Sequence, residues 1–291
     1  MVRRSEGLAL EPLWESPALP AARVDSRGGL LPPELARRFP GELTIGLSPG
    51  RPAIIANFVS TLDGVVALGP SEPNAGGTEI SGFSDADRFM MALLRALADV
   101  VIIGAGTIRA GKRHVWTATH VQPALADAFA AWRSELRLSP QPTTIVVTAS
   151  GNIDATHAGL NAPDVPVIVA TTRAGADRLA RLPLGPNVRV ASLGNEEWVP
   201  AEALVELIRG TGARLALCEG GPHLFGELVR ARLVDELFLT VAPQIAGRED
   251  AVRRLALVEG ISFGKGLGRW SNLASIRRAG DDVFLRYRLE P

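Results

Sequence analysis

Three observations predict a three-layer α/β fold with a mostly parallel central sheet and an antiparallel hairpin at its C-terminal edge. Short β-branched runs alternate with helical stretches from Arg51 onward. Several of those runs are apolar on both parities, as strands buried on both faces of a parallel sheet must be. The last stretches, WSNLASIRRAG and DVFLRYRLE, flank Gly280-Asp281 and read as two antiparallel strands joined by a tight turn.

The elements follow in order. Residues 1–50 are rich in Pro, Gly and charge and form an N-terminal arm, with one short helical possibility at LPPELARRF. Trp14, Leu30, Leu31 and Phe39 give the arm apolar anchors, so it is expected to dock on the domain or on a neighbouring subunit. Residues 51–291 form one domain. Strands are predicted over 53–59, 99–104, 143–148, 165–170, 188–192 and 214–219, and an extended stretch over 234–247. The clearest helix spans 84–97, where Ser84 and Asp87 make a capping-box-like start and Ala86, Met90, Leu93, Leu94 and Leu97 form one stripe. Other helices are predicted over 123–137, 173–181, 200–209 and 221–231.

Composition narrows the function. The 291 residues carry 31 basic and 31 acidic side chains. A nucleic-acid binder needs a basic surplus or a concentrated basic face to displace phosphate counterions, and only short mixed-charge clusters occur. No apolar run reaches the roughly 18 residues of a membrane span, and the opening MVRRSEGLALEP lacks the apolar core of a secretion signal. The single cysteine, Cys218, cannot form an internal disulfide, and the four histidines lack metal-ligand spacing. The expectation is a cytoplasmic, metal-free protein that takes a small molecule and binds neither membrane nor nucleic acid.

Four strand ends carry residues suited to that task. In VIIGAGTIRAG a buried strand runs into a turn at Gly104 and Gly106, where a backbone without Cβ atoms can approach a phosphate. In CEGGPHLFGELV a strand ends at Glu219, Gly220 and Gly221 follow, and Pro222 opens a helix whose N-terminus favours an anion. In NFVSTLDGVVA the residues Asn57, Ser60 and Asp63 leave the first core strand, where an acid can protonate or orient a substrate. Finally, TASG and TTRAG place Thr148, Ser150, Thr171, Thr172 and Arg173 where hydroxyls and a guanidinium fork can grip the 2′-phosphate of NADPH. Capping by Thr172 is the alternative for the last of these.

Taken in order, NFVSTLDGVVA, LLRALADVVIIGAGTIRA, TASG and CEGGPHLFGELVRARLVDELFLTVAPQIAG resemble the reductase domain of the bifunctional deaminase/reductase of riboflavin biosynthesis, over residues 53–289. The resemblance implies a dihydrofolate-reductase-like fold, NADPH as cofactor, a homodimer, and reduction of the ribosylamino side chain of a pyrimidine phosphate. Carried over by motif, Gly104, Gly106 and Thr107 line the cofactor with Asn57, and Thr148 and Ser150 lie near its adenosine phosphate. Gly220, Gly221, Pro222, His223, Leu224 and Phe225 cradle its pyrophosphate. Ser60, Asp63, Arg95 and Glu219 face the substrate, with Asp63 or Glu219 supplying or orienting the proton. Arg95 is the LLR arginine that resembles one touching the substrate phosphate in the family, and its place one position off the apolar stripe suits a side chain exposed toward the cleft. The chain departs from the family at GAGTIRAGKRH, where Gly111, Lys112 and Arg113 replace Asp, Asp and Pro. One cysteine also cannot supply the zinc motif of the deaminase half. The expected function is an NADPH-dependent reductase of the riboflavin type. The alternatives are a reductase of a pterin, dihydrofolate or other small carbonyl compound, and a non-catalytic NADPH-binding relative.

Overall fold

The computed structural model describes residues 7–17, 25–68, 77–110, 113–195, 197–249 and 254–290. In chain order the segment before Arg51 supplies β1 (Glu11–Glu15), β2 (Ser26–Leu30), α1 (Pro33–Ala36) and β3 (Glu42–Gly46). The first core strand, β4 (Ala53–Ser60), leads through α2 (Gly77–Ile80) and α3 (Asp85–Leu97) to β5 (Val100–Gly104). There follow α4 (Ala105–Ala110), α5 (Ala118–Val121), α6 (Ala126–Glu135), β6 (Thr143–Thr148), α7 (Ala158–Asn161), β7 (Val167–Thr171), α8 (Arg173–Leu179) and β8 (Val188–Ser192). The chain closes with α9 (Ala201–Gly210), β9 (Leu215–Cys218), α10 (Pro222–Arg230), β10 (Glu236–Val241), β11 (Ser271–Ala279) and β12 (Asp282–Leu289).

Ten strands form one sheet in the order β1, β11, β12, β10, β4, β9, β5, β6, β7, β8. From β10 to β8 every neighbouring pair is parallel, and β12, β11 and β1 add antiparallel strands at one side. The strands β4, β5, β7 and β9 are buried almost throughout, which is why their sequences are apolar on both parities. One face packs against α3, α6 and the N-terminal segment, the other against α9 and α10.

The boundaries differ from expectation where local chemistry intervenes. The helix over 123–137 begins as a 3-10 turn at Pro123–Leu125, because Leu125 leaves helical geometry (φ −116°). The stretch over 234–247 stops pairing at Val241, two residues before Pro243, which has no N–H for a ladder. The Ser84 hydroxyl accepts the Asp87 N–H at 3.2 Å, as the predicted cap requires.

The N-terminal segment lies on its own domain. β1 pairs with β11, and Leu10, Leu31, Leu35, Phe39, Leu43 and Ile45 join the core beside α3. Arg277 fastens it: its guanidinium donates to the carbonyls of Pro40 (2.7 Å) and Leu10 (3.2 Å), pairs with Glu15 at 2.5 Å and stacks on Phe39. At Gly28 (φ +100°) a Cβ would stand 2.0 Å from the Leu43 carbonyl oxygen, so the β2–β3 ribbon admits only glycine there.

Candidate functional site

Parallel strands that share a direction also share an end, and the predicted loops all leave from it. The strand register sets Ala56 beside Cys218, Cys218 beside Ile102, Gly104 beside Val147, and Thr148 beside Thr171. The residues following β4, β9, β5, β6 and β7 therefore stand in a row along one edge of the sheet.

Two glycine turns meet in the middle of that row. A Cβ on Gly104 would lie 3.7 Å from the Gly221 nitrogen, and one on Gly220 would lie 3.4 Å from the Gly104 nitrogen. Gly221 has no atom within 4 Å of its missing Cβ, and Gly106 has only the tip of Arg109 at 3.9 Å. The N-terminus of α10 carries no side-chain cap, so its first N–H groups remain for an anion. This is a backbone-lined surface whose free N–H groups suit an anion. The side chains of the same motif turn elsewhere. Pro222 and Phe225 are buried, with the Phe225 ring 4.8 Å from Phe58. Leu224 covers Gly220, and His223, though exposed, lies against Gly260. Thr107 is half-buried in α4.

Along the row, Thr148 is buried, and Ser150 and Arg173 are exposed. Ser150 accepts the Asn152 N–H at 3.3 Å. Thr171 and Thr172 are engaged by the fold: both hydroxyls donate to the Ala149 carbonyl, and Thr172 caps α8 by accepting the Gly175 N–H. Of the hydroxyl cluster, only Ser150 projects to the surface with Arg173.

Arg95 corrects the expectation of an exposed phosphate ligand. Ten of the thirteen residues of α3 are buried, Arg95 at 1% exposure. The helix is walled by the sheet on one side and by α5 and α6 on another, so a position just off the stripe still faces protein. Arg95 donates to both Glu219 oxygens (2.6–3.1 Å), and its remaining nitrogen reaches the His114 ring at 3.0 Å. A guanidinium can only donate, so His114 Nε2 accepts and its proton sits on Nδ1. Burial, reinforced by the Arg95 charge, pushes His114 down to about 2, leaving it neutral. Glu219 is thereby fixed beneath the glycine turn as part of a buried ion pair.

Asp63 also differs from a proton donor. It is exposed and accepts from the Thr61 hydroxyl (2.5 Å) and from the N–H groups of Ala246 (3.1 Å) and Gly247 (2.7 Å). The Thr61 bond, then the backbone bonds, lower it to about 2. Asp63 is an ionised clasp that ties the loop after β4 to the segment after β10.

Asn57 and Ser60 are both buried. Asn57 lies on the α3 face of β4 and lines a cavity of about 200 Å³ with Met90, Phe238, Thr240 and Arg286, roofed by Glu42–Gly46 of the N-terminal segment. The register that sets Ala56 beside Cys218 puts Asn57 level with Glu219, one residue before the Gly220 turn. Gly111 and Lys112 lie outside the described residues, and Arg113 is exposed. Cys218 is a buried strand residue whose thiol is pushed up to about 12 by burial. Among the described residues no group of three or more His, Cys, Asp or Glu could hold a metal ion, and no helix is long and apolar enough to cross a membrane.

Sequence reasoning missed His114 and Asp87. His114 had no signal, being one histidine in a loop. Asp87 had one: it shares the helical stripe of Met90 and Leu94, three and seven residues on, and an acid on an apolar stripe needs an explanation.

Comparison with known proteins identifies the family. The profile of the RibD C-terminal domain family matches residues 52–285. A 2,5-diamino-6-ribosylamino-4(3H)-pyrimidinone 5′-phosphate reductase from Methanothermobacter thermautotrophicus is 30% identical over 211 residues, 72% of this chain and 86% of the relative. The protein of the same name from Aquifex aeolicus is 28% identical over 230 residues, 78% of this chain and 89% of the relative. Among solved structures, a pyrimidine reductase-like protein from Corynebacterium diphtheriae superposes with a TM-score of 0.62 at 20% identity, covering 82% of this chain and 92% of the other. Acinetobacter baumannii RibD gives 0.60 at 21% identity; the match covers 84% of this chain and 60% of the RibD chain.

Proposed function

We propose, because the chain belongs to the RibD C-terminal domain family, that it is an NADPH-dependent reductase of riboflavin biosynthesis acting on the ribosylamino-pyrimidinone phosphate for which its relatives are named. The observation that carries this reading is the pair of glycine turns that meet at the ends of β5 and β9 beside an uncapped helix N-terminus. NADPH bound there supplies a hydride to the ribose-derived C=N or C=O carbon. The Gly104, Gly106, Gly220 and Gly221 backbones and the first turn of α10 hold the pyrophosphate, and Ser150 and Arg173 face the 2′-phosphate. Glu219, locked by Arg95 and His114, gives the substrate side a carboxylate that does not swing, so orientation is set before substrate arrives. Asn57 and Thr240 offer an amide and a hydroxyl to the pyrimidine from the cavity wall. A small-molecule substrate, a cytoplasmic location and a homodimer belong to the same reading.

Fluorescence titration with NADPH tests it. Saturable binding is expected in the native protein. Gly221→Asp, which points a carboxylate at a phosphate, should weaken binding about 100-fold or more, the several kcal/mol of a like-charge contact. Absence of NADPH binding by the native protein overturns the reading. Parallel turnover assays with the ribosylamino-pyrimidinone phosphate and with dihydropterins decide the substrate, and light scattering decides the dimer.

A further inference from the structure

The cavity beneath the N-terminal segment is lined by polar groups that the fold leaves unused. Arg286 on β12 is only 6% exposed. Its Nε donates to Glu236 at 2.7 Å, and its Nη2 reaches the same carboxylate and the Thr44 carbonyl, each at 2.7 Å. Its Nη1 has no hydrogen-bond partner among the described residues and is not sealed inside protein, so it opens on the cavity that Arg286 lines. Asn57, 8% exposed, lines the same space, and its side-chain amide bonds to no described residue. Polar groups withdrawn from bulk water are nearly always paired. Two unpaired ones on a single cavity mark a place for a ligand that pairs them. That ligand is not an anion, because each guanidinium on the wall already has a carboxylate: Arg277 has Glu15, and Arg286 and Arg288 share Glu236. Phe39, Phe238 and Phe284 add apolar walls. A neutral, flat heterocycle with hydrogen-bonding edges suits this lining. The volume agrees, since a cavity of roughly 150 Å³ takes up benzene and this one is about 200 Å³.

We propose that Arg286 determines specificity for the base of the substrate, its Nη1 donating to the ring carbonyl oxygen of the pyrimidinone while the Asn57 amide oxygen accepts the ring N–H beside it. The inference rests on the reductase reading and deepens it. A guanidinium nitrogen only donates, so it takes a carbonyl and rejects an amino group at that ring position. Asn57 stands level with Glu219, so a ring held there lies beside the strand ends along which the cofactor is proposed to bind. The N-terminal segment is part of the device. The Thr44 carbonyl holds the Arg286 fork, and Glu42–Gly46 roof the cavity. Both precede residue 52, where the match to the family begins, so residues outside the matched domain close the pocket for the base. With Nε and Nη2 committed to Glu236 and Thr44, the free nitrogen is aimed before any ligand arrives, and little freedom is lost on binding.

Calorimetric titration of the full chain with two free bases tests this without turnover. One is 2,5,6-triamino-4(3H)-pyrimidinone, the base in the relatives' name without its sugar phosphate. The other is 2,4,5,6-tetraaminopyrimidine, which sets an amino group where the carbonyl stood. The native protein should bind the pyrimidinone about 100-fold more tightly, the scale of a hydrogen bond to a charged group. Arg286→Lys keeps a cation opposite Glu236 but lacks Nη1, and should shrink that preference about tenfold or more. With the complete substrate it should raise KM by a similar factor and leave kcat and NADPH affinity near native, as when binding is lost equally from ground and transition states. A purely structural role would weaken both bases alike. The native comparison needs no variant, so it decides even where Arg286→Lys fails to fold. Equal native affinity for the two bases overturns the proposal, as does no binding of the pyrimidinone at millimolar concentration or an Arg286→Lys protein with the native preference. A native protein that shows the preference but oxidises no NADPH with the ribosylamino-pyrimidinone phosphate overturns the reductase reading and leaves the base site standing.

Discussion

At the ends of β5, β6 and β9 the molecule makes room by omission, whereas beneath α3, on the neighbouring strands, it fills the space with charge. The glycine seat has open positions at Gly106 and Gly221 and presents backbone to whatever enters. The floor under α3 holds Arg95, Glu219 and His114, joined to one another by hydrogen bonds, and the buried Asp87 of the same helix. A ligand seat built of missing atoms responds to added atoms, and mainly in affinity. A buried polar network responds to removed atoms, and mainly in stability.

The largest effect should come from breaking the network. Glu219→Ala leaves the Arg95 guanidinium buried without its counterion and should cost about 3–5 kcal/mol, read as a lower urea midpoint. Arg95→Met added to it should recover part of that loss, since the stranded charge is then gone. A smaller loss, about 1–3 kcal/mol, is expected from overpacking at Gly175→Ala, where a Cβ would stand 1.9 Å from Thr171 Oγ1 and 2.6 Å from the Ala149 carbonyl oxygen. Gly221→Ala, with nothing within 4 Å, should leave stability within about 0.5 kcal/mol and show its effect in NADPH affinity alone. Equal destabilisation by Gly175→Ala and Gly221→Ala would erase the contrast between packed and open glycines.

The two aspartates sharpen the comparison through pH. Asp87 is raised to about 7 in the fold against about 3.9 in the unfolded chain. The folded state therefore holds the extra proton between those values, and its stability falls as pH rises through that window. Asp87→Asn removes the fall, so its melting temperature relative to the native protein should improve from pH 5 to pH 8. Asp63 is lowered to about 2. Its clasp is fully present above the unfolded value and lost as pH falls through about 2. Asp63→Asn should thus lower the melting temperature slightly at pH 7, with the difference closing toward pH 2, the smallest of these effects because the group is exposed.

What was legible in the chain follows the same division. The strands of the parallel sheet announce themselves because burial on both faces demands apolar residues at both parities, and the glycine turns because few other residues suit such a close approach. The hairpin at Gly280 and the Ser84 cap are equally local. The strands β1 and β2 were not legible: β1 is exposed along its length and exists because the distant β11 pairs with it, and β2 contains two glycines and exists because β3 pairs with it. Neither was the inward direction of Arg95, which depends on α5 and α6 closing over a helix face that an isolated helix would leave in water. Asp87 was read as a helix-start residue, which its N–H is, while its carboxyl is buried against the sheet side of the helix with an acidity weakened by that burial.

The fastening of β1 has a temporal consequence. Glu11 pairs with Arg278, and Arg277 gathers Leu10, Glu15 and Pro40. During synthesis the first strand leaves the ribosome long before its partner exists, and its apolar neighbours at Leu31, Leu35 and Phe39 wait with it. Closing a loop that spans nearly the whole chain is a late and slow event, so the cavity beneath the N-terminal segment is finished only when the last hairpin has been made.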